Sequence, residues 1–226
     1  MVKDNSDKKT PWTNIALSVP FLGICIAHFS FNYMFYNLLT MLPKYLKNVH
    51  GYKTSSTGLV STLPYVFQWL CILMNGPFAT WLQKFISPTF SRRMFNSISL
   101  VGPGVLMVSI SSFKCDTDTI IIIICASLFL SGFAYAGVHN PNILDLAPNY
   151  AGVLFGITNT VANVAGFLAP QMAGYYIEGA EFSVNGWRYV WITSSVVCCL
   201  GGTLYALTAS GNKQVVMIRE YFIFGH

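Results

Sequence analysis

Charge is what this sequence has least of. Only 9% of its 226 residues are charged, against roughly 25% in soluble domains, so it cannot cover a water-exposed surface. No HExxH, GxSxG, GxGxxG or P-loop pattern occurs, and no nucleophile–base arrangement is visible; the sequence does not read as an enzyme. The four histidines, His28, His50, His139 and His226, are scattered without metal-ligand spacing, which leaves no metal or cofactor site to propose. No basic run is dense enough for a nucleic-acid surface, despite a net charge of +5. Asn-x-Ser/Thr acceptors are missing too. The polar start, MVKDNSDKKT, lacks the apolar core of a secretory signal, so the first hydrophobic segment must act as its own membrane signal.

What is present is apolar. Hydrophobic residues make up 54% of the chain and its mean hydropathy is +0.53. Residues 10–43, 54–83, 94–113, 119–144, 146–177 and 189–212 contain no Lys, Arg, Asp or Glu. Each gap reaches the roughly 20 residues that a helix needs to cross hydrocarbon. The fold class is therefore an all-α membrane protein with six transmembrane helices. The expected divisions are an N-terminal segment, 1–14, a transmembrane domain, 15–209, and a tail, 210–226. With both termini cytoplasmic, eight basic residues fall inside and five outside, which mildly favours that orientation. Cys25, Cys71, Cys125, Cys198 and Cys199 fall within spans and Cys115 in a loop, so cysteine reads as a small hydrophobe and not as a disulfide framework.

One stretch, His139 to Gly174, stands out. Gly152, Gly156, Asn159, Asn163, Gly166, Pro170 and Gly174 recur every three or four residues and share one helix face. The glycine face is expected to pack against a neighbouring helix, with Asn159 and Asn163 reaching towards a cavity. Asp145, just before this helix, reads as a capping acid near a helix start or as part of a gate. In the first span His28, Asn32 and Tyr36 lie at i, i+4 and i+8. In the second, Ser61, Tyr65, Gln68 and Asn75 lie close to one face. Either stripe suits interhelical hydrogen bonding or a water-lined cavity. Pro43 is expected to close the first helix, Pro64 and Pro77 to kink the second unless neighbours re-satisfy their carbonyls, and Gly102-Pro103-Gly104 to kink the third. No internal repeat is evident.

The segments HFSFNYMFYNLLTMLPKYLK, GLVSTLPYVFQWLC, SRRMFNSISLVGPGV, LDLAPNYAGVLFGITNTVANVAGFLAP and ASGNKQ resemble, in order, the anion:cation symporter family of the major facilitator superfamily. That family includes sialin, the vesicular glutamate transporters and the sodium–phosphate cotransporters, and the wording is nearest to the sialin group. The resemblance covers about residues 11–214 and matches the C-terminal half of such transporters, which have twelve spans in two halves. It implies a major facilitator fold with substrate bound between the halves, and a missing N-terminal six-helix half as partner. Two departures matter. Phe31 stands where vesicular glutamate transporters carry an arginine, which points away from a glutamate-type site. Thr80, in Gly76-Pro77-Phe78-Ala79-Thr80-Trp81-Leu82, replaces the acid of the family's G-x-x-A-D-x-L loop.

The expected function is proton- or sodium-coupled symport of a small organic or inorganic anion, without a cofactor beyond the coupling ion. The chain reads as a C-terminal fragment, in a lysosomal, vesicular or plasma membrane. The other reading is a non-transporting six-helix interaction or regulatory subunit. His28, Asn32, Tyr33 and Tyr36 are the first cavity candidates, followed by Tyr65, Gln68, Asn159 and Asn163. Arg92, Arg93 and Asp145 are assigned to a cytoplasmic gate or loop.

Overall fold

A computed structural model describes residues 10–111, 116–137 and 140–213. Most of the expected N-terminal segment, most of the tail, Cys115 and His139 lie outside the described residues. All elements among the described residues are helical: α1 (Trp12–Ala16), α2 (Val19–Asn48), α3 (Thr54–Leu82), α4 (Pro88–Ile110), α5 (Thr117–Ser131), α6 (Ala134–Gly137), α7 (Asn140–Leu146), α8 (Ala151–Ile177) and α9 (Val184–Thr208), with a 3-10 turn at Pro148–Tyr150. Six stretches are long and apolar enough to cross a membrane, and α5 to α7 together supply the fourth.

Helix ends follow local chemistry. Ser18, Ser87 and Asp116 each accept a hydrogen bond from the backbone N–H three residues on, the usual way to satisfy a helix's first free donors. At the other end of α2, Gly51 adopts φ 69° and the Tyr52 N–H donates to the Leu46 carbonyl at 3.2 Å, which closes the helix as a left-handed cap does. Pro43 therefore does not end the first span: α2 runs five residues further, to Asn48. Tyr45 and Leu46, which are fully buried, hold the last turn to the core. The helices likewise run unbroken through Pro64, Pro77 and Pro103. The interruption falls in the fourth span instead, at Gly132–Phe133.

The most extensive packing joins α2 to α8 and α9, α5 to α3 and α4, and α4 to α9. These contacts define a symmetry that the sequence does not display. The triplet α2–α3–α4 and the triplet formed by the fourth span, α8 and α9 exchange roles: the first span of each packs on the second and third of the other. Three spans per triplet reverse the starting side, so the two are inverted repeats of the kind found in transporters. The packing also defines two ends of the bundle. At one, Arg92 meets Asp145; at the other, His50 Nδ1 lies 2.7 Å from Thr117 Oγ1. His50 also stacks edge-on against Tyr45. Its pKa is lowered from the usual 6.5 because burial disfavours the charged ring.

The glycine stripe of α8 does not pack as expected. A Cβ placed on Gly152, Gly156 or Gly174 would meet nothing within 4 Å. The face that packs carries Leu154, Thr158, Ala162, Ala165, Ala169, Ala173 and Ile177, all buried. Alanine lets helices approach almost as closely as glycine, so two small-residue faces compete, and the alanine face meets α2. Only Gly166 of the glycines lies against a neighbour, the Tyr36 ring. Ala169→Leu is expected to lower stability by about 1–3 kcal/mol through overpacking. Gly156→Leu should change it by less than about 0.5 kcal/mol, as at an open position. Thermal unfolding in detergent of the two variants checks this difference.

Candidate functional site

Where α2, α6 and α8 converge, a cavity of about 260 Å³ opens, lined by His28, Phe31, Asn32, Tyr36, Tyr135, Phe155, Asn159 and Asn163. Two larger hollows, one between α3 and α5 and one between α1, α2 and α8, are lined almost wholly by apolar side chains. In a membrane protein such hollows suit lipid chains. Orienting a polar ligand needs placed polar groups, so the smaller cavity is the candidate site.

Helical spacing builds it. His28, Asn32 and Tyr36 repeat every four residues on α2, and Phe155, Asn159 and Asn163 do so on α8, so each triplet forms one stripe. Tyr36 Oη donates to Asn163 Oδ1 at 2.9 Å, and Asn163 Nδ2 donates to the Asn159 carbonyl at 2.8 Å. This chain fixes the Tyr36 hydroxyl across the α2–α8 contact. Gly166 makes room for the ring above it: a Cβ there would lie 3.2 Å from Tyr36 Cε2. Phe31 meets Tyr135 edge-on with centroids 6.2 Å apart, and His28 lies 6.4 Å from Phe155. The lining offers hydroxyl, amide and imidazole groups beside aromatic faces, with no Lys, Arg, Asp or Glu. It can hydrogen-bond hydroxyls, amides or carboxylate oxygens and stack against an apolar face, but it supplies no fixed charge. Imidazole is the lining group whose ordinary pKa falls nearest neutrality.

Five of the eight sequence candidates thus meet: His28, Asn32, Tyr36, Asn159 and Asn163. Tyr33, one residue off the stripe, is buried with Ala165 and Ala169 instead. Tyr65 packs edge-on against Phe35 at 5.6 Å, and its buried hydroxyl has no hydrogen-bond partner among the described residues. Gln68 Nε2 donates to Ser131 Oγ at 2.8 Å, joining α3 to α5 away from the cavity. Phe31, Tyr135 and Phe155 were missed. Phe31 was visible only as a departure from a family arginine, Phe155 begins the Asn159–Asn163 stripe, and Tyr135 gave no periodic signal because its helix is interrupted.

Arg92, Arg93 and Asp145 gather at one end of the bundle. Arg92 Nε donates to Asp145 Oδ2 at 2.8 Å while Nη1 donates to the Ala136 carbonyl at 2.7 Å. One guanidinium therefore holds both α6 and α7. Arg93 donates through Nε and Nη2 to the Ala209 carbonyl, at 3.1 and 2.8 Å, and so caps α9 from the start of α4. Tyr205 Oη donates to Asn142 Oδ1, and Asn142 Nδ2 donates to the Ser210 carbonyl, each at 2.8 Å. The capping reading of Asp145 is overturned: it lies in α7, and the residue before α8, Tyr150, makes no side-chain cap. An unpaired arginine this close, with 9% of its side chain exposed, competes better for the carboxylate than exposed backbone amides do. Thr80, in the position of the missing acid, bonds only its own helix, at the Gly76 carbonyl. The basic residue pairs across the bundle with Asp145.

Two reciprocally packed triplets of membrane-length helices, with a polar cavity against their first spans, make up the described bundle. Residues 2–170 match the profile described as Major Facilitator Superfamily, and the chain belongs to that superfamily. It is 35% identical over 212 residues to sialin of Homo sapiens, covering 93% of this chain and 42% of that protein. It is 38% identical over 207 residues to a putative inorganic phosphate cotransporter of Drosophila melanogaster, covering 90% and 39%, and 31% identical over 208 residues to vesicular glutamate transporter 2 of Bos taurus, covering 91% and 35%. The chain spans less than half the length of these relatives. They are transporters, and membership of their family agrees with the reading that the chain is no enzyme.

Removing one partner of a buried ion pair typically costs about 3–5 kcal/mol. With Asp145 one-quarter exposed, Asp145→Asn is expected to fall near or below that range. Arg92→Lys should remain destabilising although it keeps the charge, because an ammonium does not reproduce the fork that reaches both Asp145 and the Ala136 carbonyl. Thermal unfolding of the two variants and their double mutant measures the coupling.

Proposed function

We propose that the chain is one half of an anion symporter of the sialin type and that its polar cavity is one wall of the substrate site. The observation that carries this reading is the meeting of His28, Asn32, Tyr36, Asn159 and Asn163 around one cavity. The stripes come from two helices 127 residues apart at Tyr36 and Asn163. These neutral groups bind a small anion's hydroxyls and carboxylate or phosphate oxygens. The compensating positive charge comes from the facing half, which the relatives' greater length supports. Transport follows from rocking of this half against the other around the cavity. It is coupled to protons or sodium ions.

The Arg92 end lies on the cytoplasmic side, as the distribution of basic residues favours, and both termini share that side. There the Arg92–Asp145 pair and the Arg93 cap form a gate, a reading supported by their contacts at one end of the bundle. The setting is a lysosomal, vesicular or plasma membrane, and the partner is an N-terminal six-helix half.

The test replaces the residues matching Tyr36 and Asn32 in a full-length sialin-type relative with Phe and Leu. Losing one placed hydrogen bond of about 1.4 kcal/mol corresponds to a tenfold change in binding, so the KM for anion uptake should rise by about that factor. Uptake with unchanged KM and rate in both variants would sink the assignment.

A further inference from the structure

The fourth span is not one helix, and its interruption has no proline to explain it. The helix α5 stops at Ser131 and α6 starts at Ala134. Between them the backbone tightens: Phe133 N donates to the Leu130 carbonyl at 3.1 Å, Tyr135 N to that of Gly132 at 3.3 Å, and Ala136 N to that of Phe133 at 3.1 Å. Such i→i−3 bonds in mid-helix mark a 3-10 stretch, often a hinge or a site of strain.

The stripe of α3 that faces this point is shaped to it. Gln68, Cys71 and Asn75, spaced by three and four, expose 6%, 1% and 2% of their surface. Gln68 Nε2 donates to Ser131 Oγ at 2.8 Å, and that hydroxyl donates on to the Leu128 carbonyl at 2.7 Å. Asn75 Nδ2 donates to the Gly132 carbonyl at 3.1 Å. Gly132 sits against α3 so closely that a Cβ would lie 2.8 Å from Cys71 Cβ and 3.0 Å from the Gln68 carbonyl oxygen. Three residues beyond Gly132, Tyr135 enters the polar cavity. In lipid, backbone groups loosened from a regular helix must be satisfied by neighbours. Here the Asn75 amide meets the Gly132 carbonyl, while the Gln68 amide holds the neighbouring Ser131 hydroxyl.

We propose that Gln68 and Asn75 are positioning residues: they hold the 3-10 break of the fourth span at Ser131–Gly132 and thereby set where Tyr135 stands in the cavity. The proposal rests on the reading of that cavity as the substrate site. It gives Gln68 a role without contact to substrate. It also explains why glycine occupies position 132, since the break can be held only while the α3 backbone reaches it.

The test uses the full 226-residue chain in lipid nanodiscs and measures backbone hydrogen exchange. Asn75→Leu removes the donor to Gly132. Gln68→Met keeps much of the side-chain length and removes the donor to Ser131, so it remains informative where Asn75→Leu does not fold. Each variant should raise exchange severalfold in the peptide covering Gly132 to Gly137 and leave α9 unchanged, while Asn75→Gln, which keeps a donor, recovers part of the protection. Unchanged exchange at Gly132–Gly137 overturns the clamp, as does an equal rise in α9, which would make the pair ordinary bundle contacts. In a second arm the same substitutions, at matching positions of a full-length sialin-type relative, should raise KM severalfold with the maximal rate retained. A local rise in exchange with an unmoved KM would keep the clamp but refute the cavity reading and with it the positioning role.

Discussion

A backbone carbonyl inside a membrane has no water to turn to, and this constraint organises the bundle. The fourth span is the only one of the six that is interrupted between its ends among the described residues, and side chains from neighbouring helices meet carbonyls at and just beyond that interruption. Asn75 reaches the Gly132 carbonyl from α3, and Arg92 reaches the Ala136 carbonyl from α4. Arg92 then has the rest of its fork free for Asp145. The cavity and the charged end are therefore mechanically joined. Tyr135 lies between the two supported carbonyls.

The inverted pairing of the triplets gives this segment its place. By symmetry the fourth span stands to α3 and α4 as α2 stands to α8 and α9. The two first spans supply cavity residues from both triplets: His28, Asn32 and Tyr36 from α2, Tyr135 from the fourth span. The spans that flank them, α3 and α8, are the least buried of the six. Their open faces carry large apolar side chains such as Phe67, Trp69 and Phe167. Lipid can cover such faces. The cavity wall offers amides, hydroxyls and one imidazole, without fixed charge.

Much of this was legible in the residues. Gaps between charges located all six spans, because hydrocarbon tolerates few charges and the gap lengths match helical rise. The stripes His28–Asn32–Tyr36 and Asn159–Asn163 were legible because polar groups at every fourth position on apolar helices have few other uses. Periodicity could not say which of two small-residue faces of α8 would pack, since Gly152, Gly156 and Ala162, Ala165, Ala169 are all small; shape against α2 decided. Tyr33, one residue and about 100° from the stripe, packs with Ala165 and Ala169, and the Gln68 amide meets Ser131. The helices run on through Pro64, Pro77 and Pro103, and the interruption falls instead where α3 side chains far away in sequence make contact. The Arg92–Asp145 pair, 53 residues apart, has no local signature, so the residues alone left Asp145 open between a cap and a gate beside Arg92 and Arg93.

The central claim is that this chain supplies one wall of an anion pathway. Co-expressing it with the N-terminal six-span half of a sialin-type relative, purifying the pair and measuring anion uptake in proteoliposomes tests that claim most directly. Saturable uptake by the co-purified pair, lost on replacing Tyr36 and absent with either half alone, is the predicted result. Uptake by this chain alone at the same rate, or a co-purified pair that carries no anion, would contradict it.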